Sequence, residues 1–237
     1  MSSLISGKSR IVFRCSSRNN SLITGKLTLP STLTGYLTLT GILNGSPLST
    51  SLISFMGNSI NNGPLSIACF SNSSTNKSIL ATGIFTCSTV NMGPLTCAAF
   101  LGSSLNKSGV CYAVFTGSAV NCGTTKSGAF AGTTVNSGIV CTGSFTQSGI
   151  NRSGVCVGTF TGSAVNCGTT KSGAFYGTVN SGIAGTGSFY GSSVNRGTGV
   201  AVLFTGNAVN YGAVSYGTFA GTAKNSGIQI PRTGVIL

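Results

Sequence analysis

The chain has no aspartate, glutamate, histidine or tryptophan among its 237 residues. General acid–base catalysis near neutral pH draws on imidazoles and carboxylates, and hard-metal and zinc sites draw on the same groups. A Cys or Ser nucleophile would have only a lysine left to serve as its base. The sequence therefore reads as that of a non-enzymatic protein with no cofactor and no metal. Side-chain salt bridges are excluded as well, since all thirteen formal charges are Lys or Arg and the net charge is +13. Two further absences bear on location. No apolar run of about 18 residues is present to span a membrane, and Met1 to Cys15 lacks the apolar stretch and cleavage site of a secretory signal.

What is present is a register. Phenylalanine falls at Phe55, Phe70, Phe85, Phe100, Phe115, Phe130, Phe145, Phe160 and Phe175, a period of 15, and then at Phe189, Phe204 and Phe219 after one deletion. Six residues on from each, or five across the deletion, stands Asn: Asn61, Asn76, Asn91, Asn106, Asn121, Asn136, Asn151, Asn166, Asn180, Asn195, Asn210 and Asn225. The residue before Asn is usually Val, Ile or Leu, and glycine usually follows both Phe and Asn by two. Blocks of whole units recur: FTGSAVNCGTTKSGAF begins at both Phe115 and Phe160. Repetition in whole units points to stacked coils. Frequent glycine with Ser, Thr, Val and Asn between disfavours helix and suits short strands and corners. The expected fold is an all-β solenoid of about twelve 15-residue coils, with Phe, aliphatic and Asn columns. The Phe and the aliphatic residues before Asn are expected to form its core.

The Asn column reads as a ladder of amides bonded from coil to coil, or as the lining of a ligand groove; the ladder accounts for its presence in every coil. Thr86, Thr116, Thr146, Thr161 and Thr205 form a row after Phe of the kind flat ice-binding solenoids display, but Met56, Leu101, Ala131, Tyr176, Tyr190 and Ala220 break it. Of the nine cysteines, Cys141 and Cys156 occupy the same place in adjacent coils, about 4.8 Å apart, where a disulfide is permitted. Cys122 and Cys167 share another place three coils apart, too far to bridge, and are candidates for intermolecular bonds.

Three regions follow. Residues 1–54 hold a basic arm (Lys8, Arg10, Arg14, Arg18, Lys26) and Leu/Thr-rich opening strands that serve to dock or cap. Residues 55–228 hold the repeat. Residues 229–237, ending in GVIL, leave it as an apolar tail. The repeat resembles the Gly/Asn-rich 15-residue units of bacterial and viral surface proteins, and in general plan it is similar to curli-type fibre subunits. That resemblance implies a fibre or surface-layer role at the cell, spore or virion surface or outside the cell, and it carries over no active site. The expected partner is the chain itself, polymerising head to tail through exposed β edges. The alternative is a binding module whose basic, Thr-rich face meets a polyanion, a glycan or ice. No aromatic–basic interleaving or nucleic-acid motif accompanies the charge, so sequence-specific nucleic acid is not an expected partner.

The missing carboxylates and imidazoles make one outcome sharp. Stability depends on pH only where folded and unfolded states bind different numbers of protons, and no side chain here titrates between about pH 1 and pH 7. Thermal unfolding followed by circular dichroism should give the same midpoint at pH 2 as at pH 7. A cooperative acid transition would contradict a fold held by stacked columns and backbone ladders.

Overall fold

The computed structural model is all-β; its described residues are 4–6, 20–28, 32–33, 36–44, 48–49 and 52–230, and none of them is helical. The chain divides into two units, residues 1–124 and 125–237. Five of the Phe-headed coils, Phe55 to Phe115, belong to the first, and seven, Phe130 to Phe219, to the second. These are about twelve parallel coils of a β-solenoid.

Each coil has a long strand ending at or just after Phe and a two-residue strand ending on Asn. In the first unit Leu65–Phe70, Leu80–Phe85, Leu95–Phe100 and Val110–Phe115 are successive long strands, and Ile60–Asn61, Thr75–Asn76, Val90–Asn91, Leu105–Asn106 and Val120–Asn121 successive short ones. Like pairs with like in parallel, Phe70↔Phe85↔Phe100↔Phe115 and Asn61↔Asn76↔Asn91↔Asn106↔Asn121. The second unit repeats the scheme, and there the deletion after Phe175 is absorbed at a corner. Phe175↔Phe189 and Val165↔Val179 stay in register on either side of it.

The corner is fixed by backbone conformation. The residue two after Phe has positive φ in all twelve coils: glycine in nine, from Gly57 (φ 65) to Gly221 (φ 69), and Asn72, Cys87 and Gln147 in the others (φ 52, 59 and 56). Only glycine is unstrained there, so Cys87 and Gln147 each hold strain of about 1 kcal/mol.

Parallel pairing reaches back before Phe55. Asn20–Thr28 runs along Tyr36–Asn44, Leu39 stands in line with Phe55, and Leu43 stands in line with Asn61. Leu39 and Leu43 are fully buried, so each column is preceded by a leucine, with Ile23 and Leu27 in register before them. Lys26 lies within the strand Asn20–Thr28. Lys8, Arg10, Arg14, Cys15, Arg18 and residues 231–237, with the GVIL segment, lie outside the described residues.

The core departs from expectation at one column. The Phe rings from Phe55 to Phe204 are buried to within 1% and stack with centroids 4.7–4.8 Å apart in the first unit. In the second unit the spacing is 4.5–4.9 Å. The rung spacing of parallel strands sets this ring spacing, at the short end of the range aromatic pairs favour. The aliphatic residues before Asn, however, are only half-buried: Ile60, Val90, Leu105 and Val120 face outward. In a two-residue strand the side chains point to opposite faces. Asn takes the inside, and its neighbour must lie outside. The buried aliphatic column stands instead five residues before Phe, at Leu65, Leu80, Leu95 and Val110, then Val140 and Val155.

Candidate functional site

The Asn residues from Asn61 to Asn210 are completely buried, so the column lines no groove. Within each unit the Nδ2 of one coil donates to the Oδ1 of the next. In the first unit Asn61 donates to Asn76 (2.7 Å), Asn76 to Asn91 (2.8 Å), Asn91 to Asn106 (2.8 Å) and Asn106 to Asn121 (2.8 Å). In the second the series runs from Asn136 to Asn225 over 2.6–2.9 Å. Every donor points toward higher residue numbers, so the ladder has a direction.

The second Nδ2 proton goes to the carbonyl two residues on, as from Asn91 to Gly93 (2.7 Å) and from Asn151 to Ser153 (2.7 Å). In several coils Oδ1 also accepts the N–H there, as from Gly63 to Asn61 (3.2 Å) and from Gly212 to Asn210 (3.2 Å). One amide thus satisfies its neighbours above and below and closes the corner that follows it. The corner tolerates little else: a Cβ on Gly123, Gly168 or Gly212 would run into the carbonyl of Ser108, Ser153 or Gly197 on the coil below.

Sequence reasoning missed a second buried polar column. Four residues after Phe the interior holds Ser59, Ser74, Thr89 and Ser104 in the first unit, all at most 1% exposed, with hydroxyls that find no partner. Ser193 of the second unit differs: its Oγ lies 2.7 Å from Phe175 O and 2.6 Å from Tyr190 O, and its one proton has an acceptor in either. The signal was the restriction of that place in the repeat to Ser, Thr, Ala or Gly, a mark of limited space rather than of exposure.

The outward columns carry the remaining chemistry. Seven residues after Phe stand Lys77 and Lys107 in the first unit and Arg152 and Arg196 in the second, all exposed. Beside Arg152 a shallow groove runs over Ser153, Cys167, Thr169 and Ser181 and the backbone of Gly168, Gly182 and Gly197. The Thr row is half-buried, and Thr86 Oγ1 donates to Phe70 O (3.2 Å). Tyr176 and Tyr190 stack on adjacent coils with centroids 4.8 Å apart.

All eight described cysteines are free, and seven are exposed, among them Cys122 of the first unit and Cys141, Cys156 and Cys167 of the second. Burial pushes the thiol pKa of the eighth, Cys69, up. Among the described residues no three or more His, Cys, Asp or Glu are grouped to hold a metal ion, and no helix is long and apolar enough to cross a membrane. No protein-family model, curated protein or solved structure matches the chain.

The ladder gives a graded expectation. Asn151→Ala leaves the Nδ2 of Asn136 and the Oδ1 of Asn166 without their partner in a buried corner and should lower stability by about 2–4 kcal/mol. Asn225→Ala, at an exposed position where water replaces the amide, should change it by less than about 1 kcal/mol. Chemical denaturation of the two variants checks this, and equal losses would remove the ladder from the energetics.

Proposed function

We propose that the chain is a structural subunit of an extracellular or particle-surface filament, stacking head to tail through its exposed β edges. The observation that carries this reading is the directional ladder. Each Asn coil offers the next the same acceptor below and donor above, so a further strand can be added at the donor end. At the last described coil Phe219 is half-exposed, Lys224–Asn225 and Ile228–Gln229 are exposed, and Ile228 and Ile230 are 68% and 55% accessible. Among the described residues the Nδ2 of Asn225 in the second unit has no acceptor, whereas in the first unit Asn61 is preceded in register by Leu43, whose side chain neither donates nor accepts. Unpaired strand edges of this kind recruit further strands. Because the two ends differ, the contact is heterologous and propagates unless it closes into a ring.

A second reading, contact with an anionic polymer, draws on the exposed cations of the Lys77, Lys107, Arg152 and Arg196 column and on the lack of any acidic residue to oppose them.

Light scattering and negative-stain microscopy of the purified chain separate the two. The filament reading expects unbranched fibres with strands across the axis, and Phe219→Lys together with Asn225→Lys should stop growth without changing the circular dichroism of the monomer. A chain that stays monomeric at high concentration, yet binds heparin or polyphosphate with strong salt dependence, would replace it with the second.

A further inference from the structure

At the place four residues before Phe, four consecutive coils of the second unit carry Lys126, Cys141, Cys156 and Lys171. The pairs Val140↔Val155 and Thr142↔Val157 hold the two cysteines opposite one another, and both thiols are free and exposed. The long strand turns at this point: the residues four and three before Phe both face outward, between buried neighbours. The column therefore projects from an edge of the coil.

Backbone ladders on either side fix the rungs about 4.8 Å apart. A disulfide needs Cβ atoms about 3.8 Å apart and sulfurs about 2.05 Å apart. The rung spacing lies within the Cα range of a disulfide, which would form only with the two side chains leaned together. Sulfurs hung in the same rotamer from adjacent rungs stand about one rung spacing apart, close to twice a metal–thiolate bond of about 2.3 Å. That is the span of a two-coordinate ion with its sulfurs in line. Among the described residues no other cysteine has a cysteine at the same place in an adjacent coil.

We propose that Cys141 and Cys156 form a two-coordinate site for a soft monovalent metal ion of the copper(I) or silver(I) class. Thiolates select such ions over hard ones. Binding involves no oxidation or reduction: each thiol gives its proton to solvent, two sulfur–metal bonds form, and the complex carries one net negative charge. Lys126 and Lys171, one coil beyond on each side, neutralise that charge as positioning residues. The site ties two coils together and is independent of the filament reading.

The reduced full chain, kept free of oxygen and titrated with copper(I) against a chromogenic copper(I) chelator, tests this. One ion per chain should be held tightly. Cys141→Ser or Cys156→Ser should each weaken it by at least about 100-fold, since one of two linked contacts is lost. Cys167→Ser, whose thiol lies between Arg152 and Ser181, should leave it unchanged. Lys126→Ala with Lys171→Ala should weaken it by about 10-fold with the stoichiometry intact. In the unaltered chain the bound ion should also shield Cys141 and Cys156, but not Cys167, from alkylation, a readout that no folding defect can mimic. Tight binding that survives Cys141→Ser, or alkylation of the pair that ignores the ion, would overturn the site. So would air oxidation that yields peptides joined through Cys141 and Cys156 from a chain whose strands are undisturbed.

Discussion

In a parallel stack of coils every side chain has its counterpart one rung, about 4.8 Å, above and below. A charged group in such a column repels its copies, and an apolar group gains contact with them. An asparagine does something neither can: it carries donor and acceptor on one planar amide and so meets its own copy head to tail. The column from Asn61 uses this inside the coil, where an unpaired polar group would cost about 1–3 kcal/mol. The phenylalanines lie under the same constraint, their rings 4.5–4.9 Å apart because the backbone is. The interior thus repeats from rung to rung, and beside its aliphatic and Ser/Thr columns it holds the two that profit most from stacking on themselves.

Much of this was legible in the sequence because the constraint is periodic. A residue that must meet its own copy cannot drift, so the Phe and Asn registers survive through every coil, and the deletion after Phe175 falls between them at a corner. Orientation was less legible. Val90 and Leu105 looked like core and lie half-outside, because a two-residue strand whose second member is a buried Asn must turn its first outward. Hydrophobicity was a poor guide there and bonding a good one. The buried hydroxyls of Ser59, Ser74, Thr89 and Ser104 were hidden for the converse reason: in a Gly- and Ser-rich repeat a small polar residue is marked as inside only by the restriction of its place to small side chains. The opening strands hid their columns too. Leu39 and Leu43 take the places of Phe and Asn at spacings of 16 and 18 residues, which a search at 15 passes over.

The outside answers to a different rule. With no acidic side chain in the sequence, the exposed cations have no side-chain carboxylate to pair with. Outer columns are free to vary, and they do: Lys77, Met92, Lys107 and Cys122 succeed one another at one place in the first unit. The Phe and Asn columns of the interior, fixed by stacking on themselves, do not vary in the same way. The direction of the amide ladder distinguishes the two sides of each coil, one donating and the other accepting.

The central claim is that each coil depends on the donor half of its amide. Asn151→Asp keeps the size and shape of the side chain and replaces the NH2 with an oxygen that faces the Oδ1 of Asn166 and the carbonyl of Ser153. Burial and those acceptors disfavour the ionised form, so the folded-state pKa of the new carboxyl lies above its unfolded value of about 3.9. A group shifted upward contributes stability below the unfolded pKa and loses it as pH rises through the folded one. Thermal unfolding of this variant between pH 2 and pH 7 is the most direct measurement. The account predicts a midpoint well below that of the parent at pH 7, climbing toward it as the carboxyl gains a proton, while the parent stays flat throughout. A variant as stable as the parent at pH 7, and as indifferent to pH, would contradict it.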